Sequence, residues 1–446
     1  MQTIRLITAR LQRLVASNRL VMCLFIAVLT LWRYWVSYDS SLKVPQQGES
    51  FALARSLAYT GQFANPFGAM QTGPSAHLAP LFPAYLAALI RVFGDGPWGF
   101  YAYQISAVMA VSILVAMFPL AGQCLRIGFS TGVIAALAWL AAKPPLFSAW
   151  ECTYGAVLAL IATCLFRKLF ETSSQFDGRA SISLGIIAGL LGFVLPTAFP
   201  VILVWLLWVT WTRGPRACCR QYLPLLILPV LLISPWIARN YLVFHRIVPV
   251  RDNLGLELAV SNNDCASYSF DVNVETGCFG RHHPNVNVEV ARQVRATGEA
   301  AYNSIQLHRT IGWISSHRRQ FLRLSLQRAT AFWLPNDSGS PLHDIIVPGR
   351  RMLRLIEYGM TLLGFIGLYI LIREDRMSGV MCAPWLALFP ITYYFVQYDE
   401  RYRIPMLWVT FLLGSLPMSK AIQHLAGGWL FKRTANRFDS EVKLAA

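Results

Sequence analysis

Mainly apolar runs of about 20 residues, the length a helix needs to cross a bilayer, recur along this chain between short basic loops. They predict spans at roughly 20–38, 98–121, 129–149, 151–170, 181–197, 198–212, 221–238, 352–372, 377–397 and 402–418. The expected fold class is therefore an all-α polytopic membrane protein with about ten transmembrane helices. The pair 181–197 and 198–212 is short, with Pro196 and Pro200 at its turn. The first run follows Arg5, Arg10, Arg13 and Arg19 and ends in Trp32, Arg33, Tyr34 and Trp35. A secretory signal would end in a small-x-small cleavage site instead, so the run reads as an uncleaved span with an interfacial aromatic anchor.

Two polar segments interrupt the pattern. In the first, 39–97, a short helix over Glu49–Tyr59 is expected to stop at Gly61, because glycine adopts the left-handed conformation that closes a helix. A Pro- and Gly-punctuated stretch follows, then an apolar helix over Ala84–Phe93 that is too short to span. The second, 239–351, is the one sizeable hydrophilic part. Near its end Ile311, Ile314, Phe321, Leu322, Leu326, Ala329 and Trp333 fall on one helical stripe, with Arg319 and Arg323 beside it, as in a helix lying on a membrane surface. Arg318 falls inside the stripe and interrupts it. The predicted organisation is a membrane core over 1–238, an external insertion over 239–351, C-terminal spans over 352–420 and a tail over 421–446.

Charge sets the orientation. Of the 446 residues only 14% are charged, against 55% hydrophobic, whereas a soluble domain carries about 25% charged residues. With the N-terminus inside, Arg126, Arg167, Lys168, Arg213, Arg216, Arg220, Arg373, Arg376, Lys420, Lys432, Arg433 and Arg437 all fall on the cytoplasmic side, as the positive-inside rule requires. The segments 39–97 and 239–351 are then external. The net charge of +17 is dispersed over these loops rather than gathered in a basic groove with stacking aromatics, which excludes nucleic acid as a partner. Cys23, Cys124, Cys164 and Cys382 sit in apolar runs as small buried residues. Cys265 and Cys278 share the external segment, where an oxidising compartment permits a bridge without requiring one.

The chemistry gathers at one face. Acidic residues number 22 in all, and several stand where spans meet the external side: Glu49 after the first, Glu151 between the third and fourth, and Asp399 and Glu400 at the start of the last. Arg239 ends the seventh, and Arg401 and Arg403 accompany the last acids. Ionisable side chains at such depth are functional candidates, although span ends are also where charge is tolerated most cheaply. Such a set suits an anionic, lipid-linked substrate. His282 and His283 with Cys265 and Cys278 lack the spacing of a zinc site, so no metal is expected. No phosphate-cradling glycine motif for a soluble nucleotide is present either.

The run GESFALARSLAYTGQFANPFGAMQTGPSAHLAPLFPAYLAALIRVFG, 48–94, resembles the first external loop of bacterial C-type membrane glycosyltransferases, relatives of the protein O-mannosyltransferases and lipid A aminoarabinose transferases. The acid after the first span, the A-x-S-L-A-x-x-G helix, the GPSAH turn and the P-x-x-P-A-Y helix start carry the likeness. WECTYG at 150–155, PWIARNYLVFHRIVPVRDNLGLELAVSNN at 235–263, HHPN at 282–285, GEAAY at 298–302 and RYRIP at 401–405 extend it over most of 20–418. One departure is that Gly48-Glu49 stands where the family often has an Asp or an Asp-Glu pair.

The resemblance implies a multi-pass protein of the bacterial inner membrane, with cytoplasmic termini and a mixed periplasmic insertion. It implies transfer of a sugar, with inversion, from a polyprenyl-phosphate donor to an acceptor glycan, lipid or protein, without a further cofactor. One base must take the acceptor hydroxyl proton, and the departing phosphate needs positive charge. Glu49 is the candidate base, with Glu151 at the family's second acidic position as the alternative. Arg239, Arg401 and Arg403 are candidate phosphate clamps, with Tyr402 as an added donor. His77, Asp399 and Glu400 are candidates for substrate contact, His77 being equally suited to holding its turn. Two rivals stand beside this reading. A secondary transporter would show repeated halves and polar groups at the midplane, and neither is visible; a non-catalytic member of the fold is compatible with every residue named.

Overall fold

The computed structural model describes residues 18–36, 48–147, 150–171, 177–334 and 350–444, with the side chains of 217–221, 350–352 and 426–444 left out. Arg5, Arg10 and Arg13, and the side chains of Arg220, Lys432, Arg433 and Arg437, lie outside the described residues. Among those described there is no strand; the non-helical pairings are two isolated bridges, Ala64 with Pro74 and Ser269 with Tyr398. The insertion is thus helical where a mixed one was expected.

The membrane part comprises α1 (Arg19–Trp35), α2 (Glu49–Thr60), α3 (Leu81–Phe93), α4 (Pro97–Ala116), α5 (Phe118–Cys124), α6 (Phe129–Ala142), α7 (Cys152–Glu171), α8 (Gly178–Val194), α9 (Phe199–Arg213) and α10 (Pro215–Phe244). The insertion follows as α11 (Leu254–Ser261), α12 (Phe270–Glu275), α13 (Cys278–His282), α14 (Val288–Thr297), α15 (Glu299–Ser316) and α16 (Arg318–Trp333). The chain returns through α17 (Arg350–Glu374) and α18 (Arg376–Ala387) to the long α19 (Ile404–Leu444). Five segments among the described residues are long and apolar enough to cross a membrane: Pro97–Cys124, Cys152–Glu171, Tyr222–Phe244, Leu353–Glu374 and Glu400–Leu425. The chain is a multi-pass membrane protein.

The other predicted spans are shorter as helices, for local reasons. The helix expected over 129–149 stops at Ala142, because Lys143 takes a left-handed backbone (φ 47°) ahead of Pro144 and Pro145, which disfavour helix. The apolar run 377–397 is split into the 12-residue α18 and a 3-10 turn, Phe389–Tyr394, since Pro390 brings no N–H and a fixed φ. Gly61 ends α2 as expected, at φ 72°.

Helices approach closely where glycine leaves room. A Cβ on Gly367 would lie 1.9 Å from the carbonyl oxygen of Leu413, and one on Gly185 would lie 2.4 Å from that of Pro224. These contacts join α17 to α19 and α8 to α10, as small residues do between membrane helices. Between them lies an aromatic interior containing Trp139, Trp205, Trp385 and Trp408, each essentially inaccessible. The Trp385 indole donates to Thr163 Oγ1 (3.1 Å) and the Trp205 indole to the Met381 carbonyl (3.0 Å), because a buried N–H left unmade is costly.

In the insertion, the stripe expected to run through one surface helix is interrupted at His317 (φ −118°), which separates α15 from α16. Ile311, Leu322 and Leu326 are exposed, while Leu324, Arg328, Ala331 and Phe332 face inward. Arg328, fully buried, donates to the Ser261 carbonyl, to Asn262 Oδ1 (3.0 Å) and to the Phe395 carbonyl (3.1 Å). It ties α16 to the end of α11 and to the strand-like stretch leading into residue 398. Cys265 and Cys278 are joined as a disulfide.

Arg403 lies inside the bundle. Its guanidinium donates to Glu357 Oε1 (2.6 Å) and Thr361 Oγ1 (3.1 Å), with 1% and 6% of the two charged side chains exposed. Removing one partner of such a pair leaves the other buried and uncompensated, at a cost of about 3–5 kcal/mol. Glu357→Ala is therefore expected to lower the melting temperature in detergent sharply, whereas replacing both residues by apolar ones of similar size recovers most of the loss.

Candidate functional site

The helix α2 begins at Glu49, whose side chain turns inward and is 8% exposed. A buried carboxylate keeps its charge only beside compensating groups, and two imidazoles supply them. His77 Nε2 lies 3.3 Å from one carboxylate oxygen and His283 Nε2 lies 3.4 Å from the other. The turn between α2 and α3 delivers His77. Asn65 N–H bonds the Gly73 carbonyl (2.8 Å), Asn65 Oδ1 accepts from Gly73 N–H (2.8 Å), and Ser75 N–H reaches the Phe63 carbonyl (3.0 Å). Phe67 sets its ring edgewise to His77 and His283 at centroid distances of 5.0 and 5.9 Å.

Electrostatics assign the protons. Burial works against a charged His77, but Glu49 overcomes it and lifts the imidazole to about 9. Burial likewise works against a charged Glu49, yet His77, then His283 and Arg401, hold the carboxyl down at about 2. His283 is pushed down to about 4, by burial foremost. Its Nδ1 accepts from Asn285 N–H (3.1 Å), so its proton sits on Nε2 and points at Glu49. At neutral pH the group is a carboxylate, an imidazolium and a neutral imidazole.

Glu49 borders a cleft of about 180 Å³ that also takes Glu151, Arg401 and Tyr402 from the predicted set. Arg401 is held from three sides: its Nε lies 3.1 Å from Asp399 Oδ2, its guanidinium lies 3.4 Å over the Trp150 ring, and it approaches the Tyr402 hydroxyl at 3.5 Å. Tyr402 stacks on Tyr393 with centroids 4.5 Å apart. Asp399 also accepts from Arg401 N–H (3.0 Å), capping the 3-10 turn Glu400–Arg403. Glu151, at the start of α7, has no side-chain hydrogen bond or ion pair to another described residue.

The remaining predicted residues are placed elsewhere. Arg239 spans from α10 to the first loop, donating to the Ser75 carbonyl (2.7 Å), the Phe63 carbonyl (2.8 Å) and Asn240 Oδ1 (2.9 Å). It holds the turn that carries His77. Arg403 is the buried partner of Glu357, Glu400 lies 3.8 Å from Arg354, and His77 sits behind Glu49 rather than on the cleft wall. Arg239 and Arg403 thus have their donors engaged away from the cleft.

Three cleft residues were not singled out from the sequence: Arg251, Asn253 and Glu257. They lie on the stretch RDNLGLEL, where the rarity of carboxylates was the available signal. Asn303 positions this stretch, accepting from Leu256 N–H (3.0 Å) and donating to the Asp252 carbonyl (2.8 Å). The Glu257 carboxyl is raised by burial and by Glu49, and its contact with Asn253 is long, 3.5 Å. Arg251 makes no side-chain hydrogen bond or ion pair with a described residue. His283 belongs to the HHPN stretch that was weighed for zinc. Its imidazole serves Glu49, while Cys265 and Cys278, close to His282, are spent in their disulfide.

The imidazolium assignment has a pH signature. His77 is raised in the folded chain from 6.5 to about 9, so its contribution is complete below about 6.5 and disappears as pH rises through about 9. Glu49, held down, stays ionised across that window. The stability difference between the native protein and His77→Gln should therefore be largest at pH 6 and shrink towards pH 9.5, read as melting temperature against pH. A constant difference would mean a neutral His77.

No protein-family profile matches the sequence, and no curated protein is significantly similar to it. Among solved structures, the oligosaccharyltransferase of Archaeoglobus fulgidus in its apo form is similar in fold, with a TM-score of 0.54 and 12% identity over 93% of this chain. The archaeal oligosaccharyltransferase AglB of the same organism, in complex with an inhibitory peptide and a dolichol-phosphate, gives the same values. The chain spans 52% of the length of each. At this identity the likeness concerns the fold alone, and that fold is the C-type glycosyltransferase fold.

Proposed function

We propose that the protein is a membrane glycosyltransferase that moves a sugar from a polyprenyl-phosphate donor to an acceptor hydroxyl at the periplasmic face of a bacterial inner membrane. The observation that carries this reading is the cleft itself: Glu49, Glu151, Glu257, Arg251 and Arg401 line it together with the apolar residues Val194, Leu195, Val396 and Pro405. Guanidinium groups suit a phosphate, and the apolar side suits the first isoprene units. The archaeal neighbour bound to dolichol-phosphate supports a lipid-phosphate donor.

The chemistry needs little else. The acceptor oxygen forms a bond to the anomeric carbon as the bond from that carbon to phosphate oxygen breaks. The electron pair departs with the polyprenyl phosphate, and the hydroxyl proton passes to a carboxylate. Glu151 is the better base of the two proposed acids, because Glu49 is held as an anion at about 2 and accepts a proton poorly at neutral pH. Glu49 instead places fixed negative charge where the anomeric carbon becomes positive. Arg251 and Arg401 hold the phosphate, and Tyr402 adds a hydroxyl. No metal or organic cofactor enters this scheme.

With purified protein and a labelled polyprenyl-phosphate sugar, Glu151→Gln is expected to lower kcat by about 10²–10⁴-fold with donor affinity retained. Glu49→Gln should cost less, and a larger loss there than at Glu151 moves the base role to Glu49. Arg251→Ala should weaken donor binding about tenfold or more, because phosphate loses a charge-assisted bond. Donor binding without transfer in the native protein would identify a non-catalytic member of the fold, and the absence of donor binding would remove the proposal.

A further inference from the structure

A second cavity, of about 970 Å³, lies between the turn after α2, the end of α10 and the start of α15, and no residue lines both it and the cleft. Its volume falls within the range of small-molecule sites, about 300–1,000 Å³. Its walls are amides, hydroxyls and guanidiniums, with Gln62, Gln71, Thr72, Arg246, Arg295 and Glu299 among them. One buried polar atom here lacks a hydrogen bond, Thr72 Oγ1, on a residue 6% exposed. Glu299, 4% exposed, accepts from Ala76 N–H (2.6 Å) and is also held by Ser75. A hydroxyl such as that of Thr72 is costly to leave unmade, so it points to a ligand or to water that completes it.

The charge around the groove is positive on balance. Arg246 spends one nitrogen on the Ala300 carbonyl (3.0 Å) and Ser304 Oγ (2.7 Å), and Arg295 is exposed without an ion pair or hydrogen bond to a described residue. The N-terminus of the 18-residue α15 opens into the same space, and its first amides favour negative charge.

We propose that this groove is a binding site for an acidic sugar. The guanidiniums and the α15 terminus take the ligand's carboxylate, and Thr72, Glu299 and the two glutamines take its hydroxyls. The site stands on its own lining and does not depend on the reaction assigned to the cleft.

The test is binding, not activity. Full-length protein in lipid nanodiscs is titrated with D-glucuronate, D-glucose and inorganic phosphate, read by saturation-transfer NMR and calorimetry. Saturable binding of glucuronate, at least tenfold tighter than of either other probe, is expected. Arg295→Ala, an exposed position, should weaken it at least tenfold, and Thr72→Val, close in shape, about threefold or more at unchanged melting temperature. Equal binding of glucose would show that charge is not read, and equal binding of phosphate that hydroxyls are not. Either result, or an absence of saturable binding by glucuronate, overturns the proposal.

Discussion

A carboxylate taken out of water keeps its charge only beside compensating groups, and Glu49 with His77 is the pair on which the face of this protein is built. Neither group tolerates burial alone, since desolvation pushes each towards neutrality. Together they invert that tendency, His77 rising to about 9 and Glu49 falling to about 2. The pair then dictates what surrounds it. His77 must stay where it is, so the turn carrying it is pinned at the two preceding positions: Arg239 takes the Ser75 carbonyl, Glu299 takes the Ala76 amide, and Asp252 N–H takes the Ala76 carbonyl at 2.7 Å. One anchor comes from a membrane helix and two from the insertion. The ion pair is thus the point at which bundle and insertion are made to agree.

The guanidinium groups divide by whether their donors are already used. Arg167 meets Ser378 (2.9 Å), Asp375 (3.0 Å) and Glu171 (2.9 Å), and Arg328 meets three oxygens from two segments. Arg239 and Arg403 likewise have their terminal nitrogens engaged away from the cleft. Such residues hold positions, and a substrate phosphate would have to displace bonds already made in order to reach them. Arg251 stands apart in the cleft without a side-chain hydrogen bond or ion pair to a described residue, and Asp399 and Trp150 fix the plane of Arg401. A phosphate clamp needs free donors and fixed direction.

Much of this arrangement was legible in the sequence, because its signals are local. Gly61 stops α2 by its backbone alone, and the scarcity of acids led to Glu49 and Glu151. What the sequence leaves open is rotation and tertiary pairing. Arg401 and Arg403 are two residues apart and chemically identical, yet one enters the cleft and the other the bundle, because side chains two apart on a helical turn point to different sides and Glu357 waits on α17. No periodicity reveals Glu357. The stripe from Ile311 to Trp333 was blemished at Arg318, but hydropathy does not show the break at His317 beside it. Arg251 and Glu257 were hidden by ordinary surroundings, since their loop is placed by distant partners, Asn303 and the Ala76 carbonyl.

The division between fixed and adjustable charge also explains why the acid nearest the centre is the least suited to proton transfer. Lowering a carboxyl to about 2 secures its negative charge under any physiological condition, and the same stabilisation removes its affinity for a proton. A site of this kind therefore needs a second acid that is not held in an ion pair with a described residue. Glu151 has that position, next to the Trp150 ring on which Arg401 rests. On the proposed reading, substrate phosphate drawn to Arg401 would bring its sugar between Glu49 and Glu151, which line the same cleft. That separation of roles keeps charge stabilisation and proton acceptance from competing within a single residue.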